Sequence, residues 1–198
     1  LVDVHLSFIN AGADVIVTNN FSSRKIRLIQ NKVEEKFKYV NKKACELANK
    51  AREVSKGNIL IAGSLPPQNG TYVVDEREIN TIKKDFMEQA EIIKPYVDFF
   101  YLDVIASAKE VEAACDVTEK LDMPVLVGLH LKKNGKIASG ETITEIVKKY
   151  RTNNWIGVIG ACVSLEIIEN SSIEMSNLNI PFGFKANLWN VDEPLPLH

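Results

Sequence analysis

Six short stretches in which apolar residues follow one another almost without a break punctuate this chain: ADVIVTNNF (13–21), NILIAGSLPP (58–67), VDFFYLDVI (97–105), MPVLVGLHL (123–131), WIGVIGACVS (155–164) and IPFGFKANL (180–188). Unbroken apolar runs, rather than alternating ones, are how strands read when both faces are buried, as in a parallel sheet covered by helices. Between them, residues 23–55, 76–95, 107–121, 142–152 and 165–177 place apolar side chains three and four apart with Lys and Glu interspersed, which predicts amphipathic helices. The chain opens at Leu1 already inside such a pattern. Ser107 with Glu110, and Thr142 with Glu145, have the spacing at which a hydroxyl caps a helix while the Glu side chain reaches back. Pro95 and Pro124 fall after helices and Pro181 before the sixth strand, where a missing N–H does no harm.

Repeated βα units of roughly 30 to 40 residues fit an open doubly wound sheet or a closed eight-stranded barrel. The open form would carry G-x-G-x-x-G after a strand, and that spacing is absent. The pattern therefore favours a (β/α)8 TIM barrel, present as about six of its eight units within one partial domain over 1–198. A start at Leu1 and an end in EPLPLH, with no terminal helix over the last strand, read as a piece of a longer protein. Units are expected to be missing from the ends. Open barrel edges expose unpaired backbone groups, so such a piece on its own is expected to aggregate or dimerise through them.

Composition narrows the setting. The 198 residues are 45% hydrophobic and 25% charged, as in ordinary globular domains, and a formal charge of −2 with Lys and Glu mixed along the helices provides no basic face for nucleic acid. The longest apolar runs fall well short of the roughly 20 residues of a membrane span, and no basic segment leads into an apolar one at the N-terminus. Three widely spaced cysteines, Cys45, Cys115 and Cys162, do not form a disulfide framework and point to a reducing, cytoplasmic setting.

In parallel α/β folds the loops after the strands share one mouth, and the site lies there. The strand ends are Thr18-Asn19-Asn20-Phe21, Gly63-Ser64-Leu65-Pro66-Pro67, Asp103, His130, Ala161-Cys162 and Asn187. All switch from bulky aliphatics to hydrogen-bonding groups at the same end. Asp103 closes a run of large apolar residues, where an unpaired charge is costly; a cationic ligand group would offset that cost, and so would hydrogen bonds from backbone amides or another barrel residue. His130 alone among the three histidines ends a strand, yet a lone histidine is more often structural, and none is assigned chemistry. His5 is expected to pack beside Phe8 and Ile9, and His198 lies in the tail. Cys45 and Cys115 fall within helices beside alanines and read as buried structural thiols. Cys162 differs by its place at the mouth, where a thiolate could bind zinc, although spacing reveals no further ligand. LKKNGKIASGET (131–142) reads most simply as a solvated loop whose glycines permit tight turns.

Taken in order, these segments resemble the homocysteine S-methyltransferases. INAGADVIVTNNF is similar to that family's A-G-A-D-x-I-x-T-N-T-F segment, AGSLPPQNG to its G-S-x-G-P-x-G loop, YLDVIASAKEVEAA to its L-E-T-x-x-x-x-E-A segment, and LKKNGKIASGET to the loop after its fifth strand, while IGVIGACVS stands at its G-x-N-C. The resemblance implies a (β/α)8 barrel in which three cysteines hold zinc; Cys162 matches the first of them, while strand one, and strand eight with the other two cysteines, would lie outside this chain. It implies methyl transfer from a small donor to the thiol of homocysteine or a similar acceptor, through a zinc-bound thiolate. Asp103 takes the place of a glutamate that grips the substrate's amino group, Thr18 and Asn19 match pocket residues, and Ser64 lies on the matching third loop. The isolated chain is expected to be inactive. Ala161, Ile159, Asn20 and Pro66 depart from the family's Asn, Gly, Thr and Gly. Two other readings stay open: a zinc-free barrel that binds a small amino-acid-like ligand, with Asp103 as anchor or base, and a non-catalytic binding or assembly subunit. All of these imply small-molecule ligands, no nucleic acid and no membrane, and are compatible with a homo-oligomer.

Overall fold

The computed structural model describes residues 1–187. Its order is α1 (Val2–Asn10), β1 (Val15–Val17), α2 (Lys25–Gln30), α3 (Phe37–Ser55), β2 (Leu60–Leu65), α4 (Ile79–Ile93), β3 (Phe99–Ile105), α5 (Ala108–Lys120), β4 (Val125–Leu129), α6 (Ile143–Tyr150), β5 (Trp155–Val163), α7 (Leu165–Ser176) and β6 (Phe182–Ala186). The six strands form one sheet in the order β1-β2-β3-β4-β5-β6, every pair parallel. Each strand pairs only with its chain neighbours and a helix covers each crossover, as in a (β/α)8 barrel of which six strands are present. Leu188 and His198 lie outside the described residues.

Side chains alternate across this sheet between two separate apolar layers. Phe100, Leu102, Val125, Val127, Leu129, Val158 and Val163 join the helices in the main core, and Ile16 and Ile61 pack on the α1–α3 side. Ala62, Phe99 and Tyr101, with Leu126 and Ile159 against them, form a smaller cluster on the inner face. The sheet curls around that inner cluster. Side chains of β3 and β6 meet at 2.8 Å through Asp103 and Lys185, although three strand spacings on a flat sheet would hold their backbones about 14 Å apart. Gly128 makes the inner packing feasible, since a Cβ there would stand 2.6 Å from the Leu102 carbonyl oxygen and 2.7 Å from the Tyr101 ring.

Two strands bulge near their carboxyl ends. The β3–β4 register shifts between Leu102 and Ile105, where Val104 has φ 69°, and the β5–β6 register shifts between Ala161 and Val163, where Cys162 has φ 56°. Each bulge inserts one extra residue. After each, Ile105 and Val163 return to the helix-facing core, while Asp103 and Ala161 keep the inward direction set by Tyr101 and Ile159.

The helices differ from the sequence expectation in one place. Where one helix is expected over 23–55, the chain has a 3-10 turn at Phe21–Ser23, α2, a second 3-10 turn at Glu34–Lys36 and α3. The break follows from Lys32 adopting the left-handed conformation (φ 56°) after α2, so that Val33 donates back to the Leu28 carbonyl at 2.9 Å. Both proposed caps form, in different ways. Thr142 and Glu145 make the complete reciprocal box at α6, whereas at α5 Ser107 accepts from the Glu110 amide and donates its own hydroxyl hydrogen to Glu110 at 2.7 Å. The 131–142 loop is more than a solvated turn. Its tip at Lys132–Asn134 is exposed, but Ile137 is 1% exposed within the main core, Ser139 accepts from the Ala108 amide, and Lys136 pairs with Thr142 as an antiparallel bridge. Cys45 and Cys115 are buried among the helices, where desolvation pushes both thiols up to about 12, and His5 is buried as expected.

Candidate functional site

The carboxyl ends of the strands bring polar side chains together at one mouth. Asp103, 5% exposed, lies on the inner face of β3 and accepts a hydrogen bond from the Lys185 ammonium of β6 at 2.8 Å. Lys185 also stands 5.6 Å from the centroid of the Tyr101 ring, within reach of a cation–π attraction. The carboxylate that closes an apolar run therefore has a partner within the chain, and its burial is compensated by an ion pair.

Cys162 sits on the β5 bulge, half-exposed. Its left-handed backbone turns the thiol out of the strand's alternation and is pinned by Asn187, whose side chain donates to the Cys162 carbonyl at 3.0 Å and whose amide donates to Val163 at 2.8 Å. Tyr72, from the long loop after β2, stacks its ring on His130 at this mouth, and burial, followed by the influence of Cys162 and Asp103, holds its phenol well above the ordinary range. Tyr101 is raised by the same causes, burial first, with its hydroxyl facing Asp103 without a well-formed hydrogen bond. Both phenols are neutral at pH 7. Lys185, which holds Asp103, stands in register with Ala161, the residue before Cys162, so the carboxylate and the thiol face the same rim.

His130 completes this wall. Its ring stacks on Tyr72 with centroids 4.4 Å apart and its Nδ1 lies 3.3 Å from the Ala161 carbonyl oxygen. Burial pushes its pKa below the ordinary value, with backbone hydrogen bonds at Ala161 and Cys162 opposing, so the imidazole is neutral at pH 7. A neutral ring facing a carbonyl donates from Nδ1.

The other expected residues are arranged differently. Ser64 lies on β2 in register with Tyr101, and its buried hydroxyl has no hydrogen-bond partner. The Thr18 hydroxyl is committed to the scaffold, donating to Asn20 at 2.7 Å and accepting from the Ser64 amide at 3.0 Å. Asn20 in turn donates to Asn41 and to the Ser64 carbonyl, each at 3.0 Å. Asn19 is exposed beside these buried neighbours. Sequence reasoning missed Lys185, Tyr72 and Tyr101. Lys185 carried a readable signal, a charge inside the apolar strand FGFKA of opposite sign to the one that made Asp103 stand out; Tyr72, in a loop without periodicity, carried none.

Among the described residues no three His, Cys, Asp or Glu side chains converge as a metal-binding set. One soft donor, the Cys162 thiol at the mouth, suits zinc, and further donors would have to come from beyond those residues. A surface cleft of about 630 Å3, lined by residues such as Phe37, Lys42, Glu91 and Tyr96, opens between α3 and α4 on the helical outside and contains none of these groups. No helix among the described residues is long and apolar enough to cross a membrane.

Comparison with known proteins agrees with the order of the motifs. The S-methylmethionine–homocysteine S-methyltransferase of Rattus norvegicus is 30% identical over 134 residues, which is 67% of this chain and 34% of that protein. The enzyme of the same name from Mus musculus is 28% identical over 149 residues, 73% of this chain and 39% of that protein. The chain thus spans little more than a third of the length of these curated relatives. Its fold matches the homocysteine methyltransferase MmuM from Escherichia coli, with a TM-score of 0.81 to the metallated form at 17% identity over 95% of this chain and 72% of that one. The oxidized form of the same protein gives 0.79 at 18% identity, covering 91% and 68%. The family model described as homocysteine S-methyltransferase matches residues 1–194, and the chain belongs to that family.

Proposed function

We propose that the protein of which this chain forms the described part transfers a methyl group from a small donor to the thiol of homocysteine or a closely similar amino-acid thiol, in the cytoplasm. The observation that carries this reading is the placement of Asp103 and Cys162 on one rim, tied through Lys185, which pairs with Asp103 at 2.8 Å and stands in register with Ala161 beside Cys162. A carboxylate suited to an ammonium and a sulfur suited to a soft metal are the two anchors that an amino-acid thiol requires. The names of the curated relatives favour S-methylmethionine as donor.

In this reading Cys162 is one ligand of a zinc ion whose other ligands lie outside the described residues. Zinc, when bound, would supply the charge that favours an acceptor thiolate at neutral pH. The chain's own residues do the rest. Asp103 takes the acceptor's ammonium, fixing the amino-acid end while the sulfur end lies toward Cys162. Tyr72, kept protonated chiefly by burial, closes the wall of the site on the β2 side. Neutral His130 buttresses Tyr72 by stacking, and Ser64 presents a spare buried hydroxyl to the inner face. Asn19 lines the exposed rim, with Thr18 holding the β1 and β2 ends together. In the transfer the acceptor sulfur's electron pair forms the new S–C bond as the bond from the donor atom to the methyl carbon breaks, its pair staying with the donor. The acceptor's thiol proton passes to solvent before that step.

The test uses the full-length protein with homocysteine and S-methylmethionine, following methionine formation and zinc content. Wild type should turn over, and Cys162→Ser should lose at least a hundredfold in kcat/KM along with stoichiometric zinc; Asp103→Asn should raise KM for homocysteine. Homocysteine binding without turnover by any methyl donor, and without zinc, would replace this reading by a ligand-binding barrel. Absence of binding would refute it.

A further inference from the structure

We propose that Lys185 recognises the carboxylate of the acceptor, so that the Asp103–Lys185 ion pair is a template for a zwitterionic amino-acid headgroup. This rests on the reading of the mouth as an amino-acid thiol site and adds a specificity residue to it. The pair is asymmetric: the Asp103 side chain is 8% exposed and the Lys185 side chain 45%. The buried member is fixed on β3, whereas the exposed one reaches over from β6, with Tyr101 beneath it. An ammonium has three donors. One is used on Asp103, and the exposure of the side chain leaves others open to the mouth.

Charge conservation decides what can replace this contact. A buried carboxylate stripped of its cation is strongly unfavourable, so any ligand that moves Lys185 must bring its own positive group to Asp103. That exchange leaves Lys185 without its anion unless the ligand also carries one. An α-amino acid does both from a single carbon, and after the exchange every charge has a partner again. A ligand with an amine alone strands Lys185 in solvent; one with a carboxylate alone adds a second anion beside Asp103. The neighbouring phenols and imidazole, being neutral, do not alter this count.

Titration calorimetry on the full-length protein tests the idea with three thiols: homocysteine, its decarboxylated analogue (an aminopropanethiol) and its deaminated analogue (a mercaptobutanoate). Wild type should bind homocysteine most tightly. Lys185→Met should weaken homocysteine and the mercaptobutanoate by about tenfold, the range of a solvent-accessible charged hydrogen bond, while the aminopropanethiol binds as well as before or better. Lys185→Arg should keep homocysteine binding within about threefold, since the charge and donors remain. Lys185→Gln gives the same comparison if the Met protein does not fold. Homocysteine binding unchanged or tighter in Lys185→Met would overturn the proposal alone, making the lysine a mere competitor for Asp103. Failure of wild type to bind any of the three overturns this proposal together with the functional reading beneath it.

Discussion

Replacing Glu110 by Gln should make the protein's stability less sensitive to pH, and the size of the effect can be worked from the surroundings of this side chain. Glu110 is fully buried in the first turn of α5, with one carboxyl oxygen accepting from Ser107 and the other without a partner. Burial, with the charge of Asp75 as a smaller like-sign contribution, raises its pKa from 4.5 to about 7, against the hydrogen bonds from Ser107 and the backbone. Arg24, whose own pKa is lowered to about 10 chiefly by burial, lies near enough to be favoured by the Glu110 charge. The native state therefore holds the proton more tightly than the unfolded chain does. Between about pH 4.5 and pH 7 the unfolded chain binds fewer protons, so stability falls as pH rises through this window and the loss is complete above it. A shift of about 2.5 units corresponds to about 3 kcal/mol, of which some 2 to 3 kcal/mol falls between pH 5 and pH 8. Urea unfolding of wild type and Glu110→Gln at both pH values isolates this group, because other carboxylates titrate alike in the two proteins. The stability of Glu110→Gln relative to wild type should rise by about 2 kcal/mol or more from pH 5 to pH 8. A difference that stays constant across that interval would refute the assignment of a neutral Glu110 to the native state.

Other substitutions test the packing and the caps. Gly128→Ala pushes a methyl group against the Leu102 backbone oxygen, which cannot swing aside, and should cost about 1–3 kcal/mol; an unchanged melting temperature in calorimetry would show that Tyr101 does not fill the space above it. Thr142→Ala removes one half of the reciprocal cap on α6 and should cost about 1 kcal/mol in urea unfolding, with Thr142→Ser recovering most of it.

Much of the architecture was legible in the chain because a two-faced buried strand and an amphipathic helix leave opposite signatures. All six runs contain the strands, although β1 shrinks to Val15–Val17 within a run of nine residues, the rest of that run going into turns and side-chain-bonded loop around Thr18 and Asn20. Helix periodicity could not disclose the Lys32 break, because a lysine in the left-handed region looks like any other polar position between two apolar stripes. The 131–142 loop hid its anchor for a similar reason: Ile137 is a single apolar residue among lysines and glycines, and no period marks it as core. At the site, Asp103 and Cys162 were readable as polar groups at strand ends, and the polarity switch placed them on one rim. Lys185 was not paired with Asp103 because the contact spans non-adjacent strands, a relation set by the curl of the sheet, which no local pattern encodes. The two left-handed residues at the bulges, Val104 and Cys162, were equally hidden, since neither residue type favours that conformation.

The one-after-another strand order also bears on how the molecule assembles. Because each strand lies beside the one synthesised just before it, the sheet can grow as a ribbon from its N-terminal side, every addition closing a loop of a few dozen residues at modest entropic expense. The link from Asp103 to Lys185 is of another kind, since it joins positions 82 apart and waits for β6 to arrive. A nascent chain halted before Lys185 would already own most of these apolar layers yet leave a buried carboxylate uncompensated, so the docking of β6 both pairs that charge and, through Asn187, pins the bulge on which Cys162 is displayed.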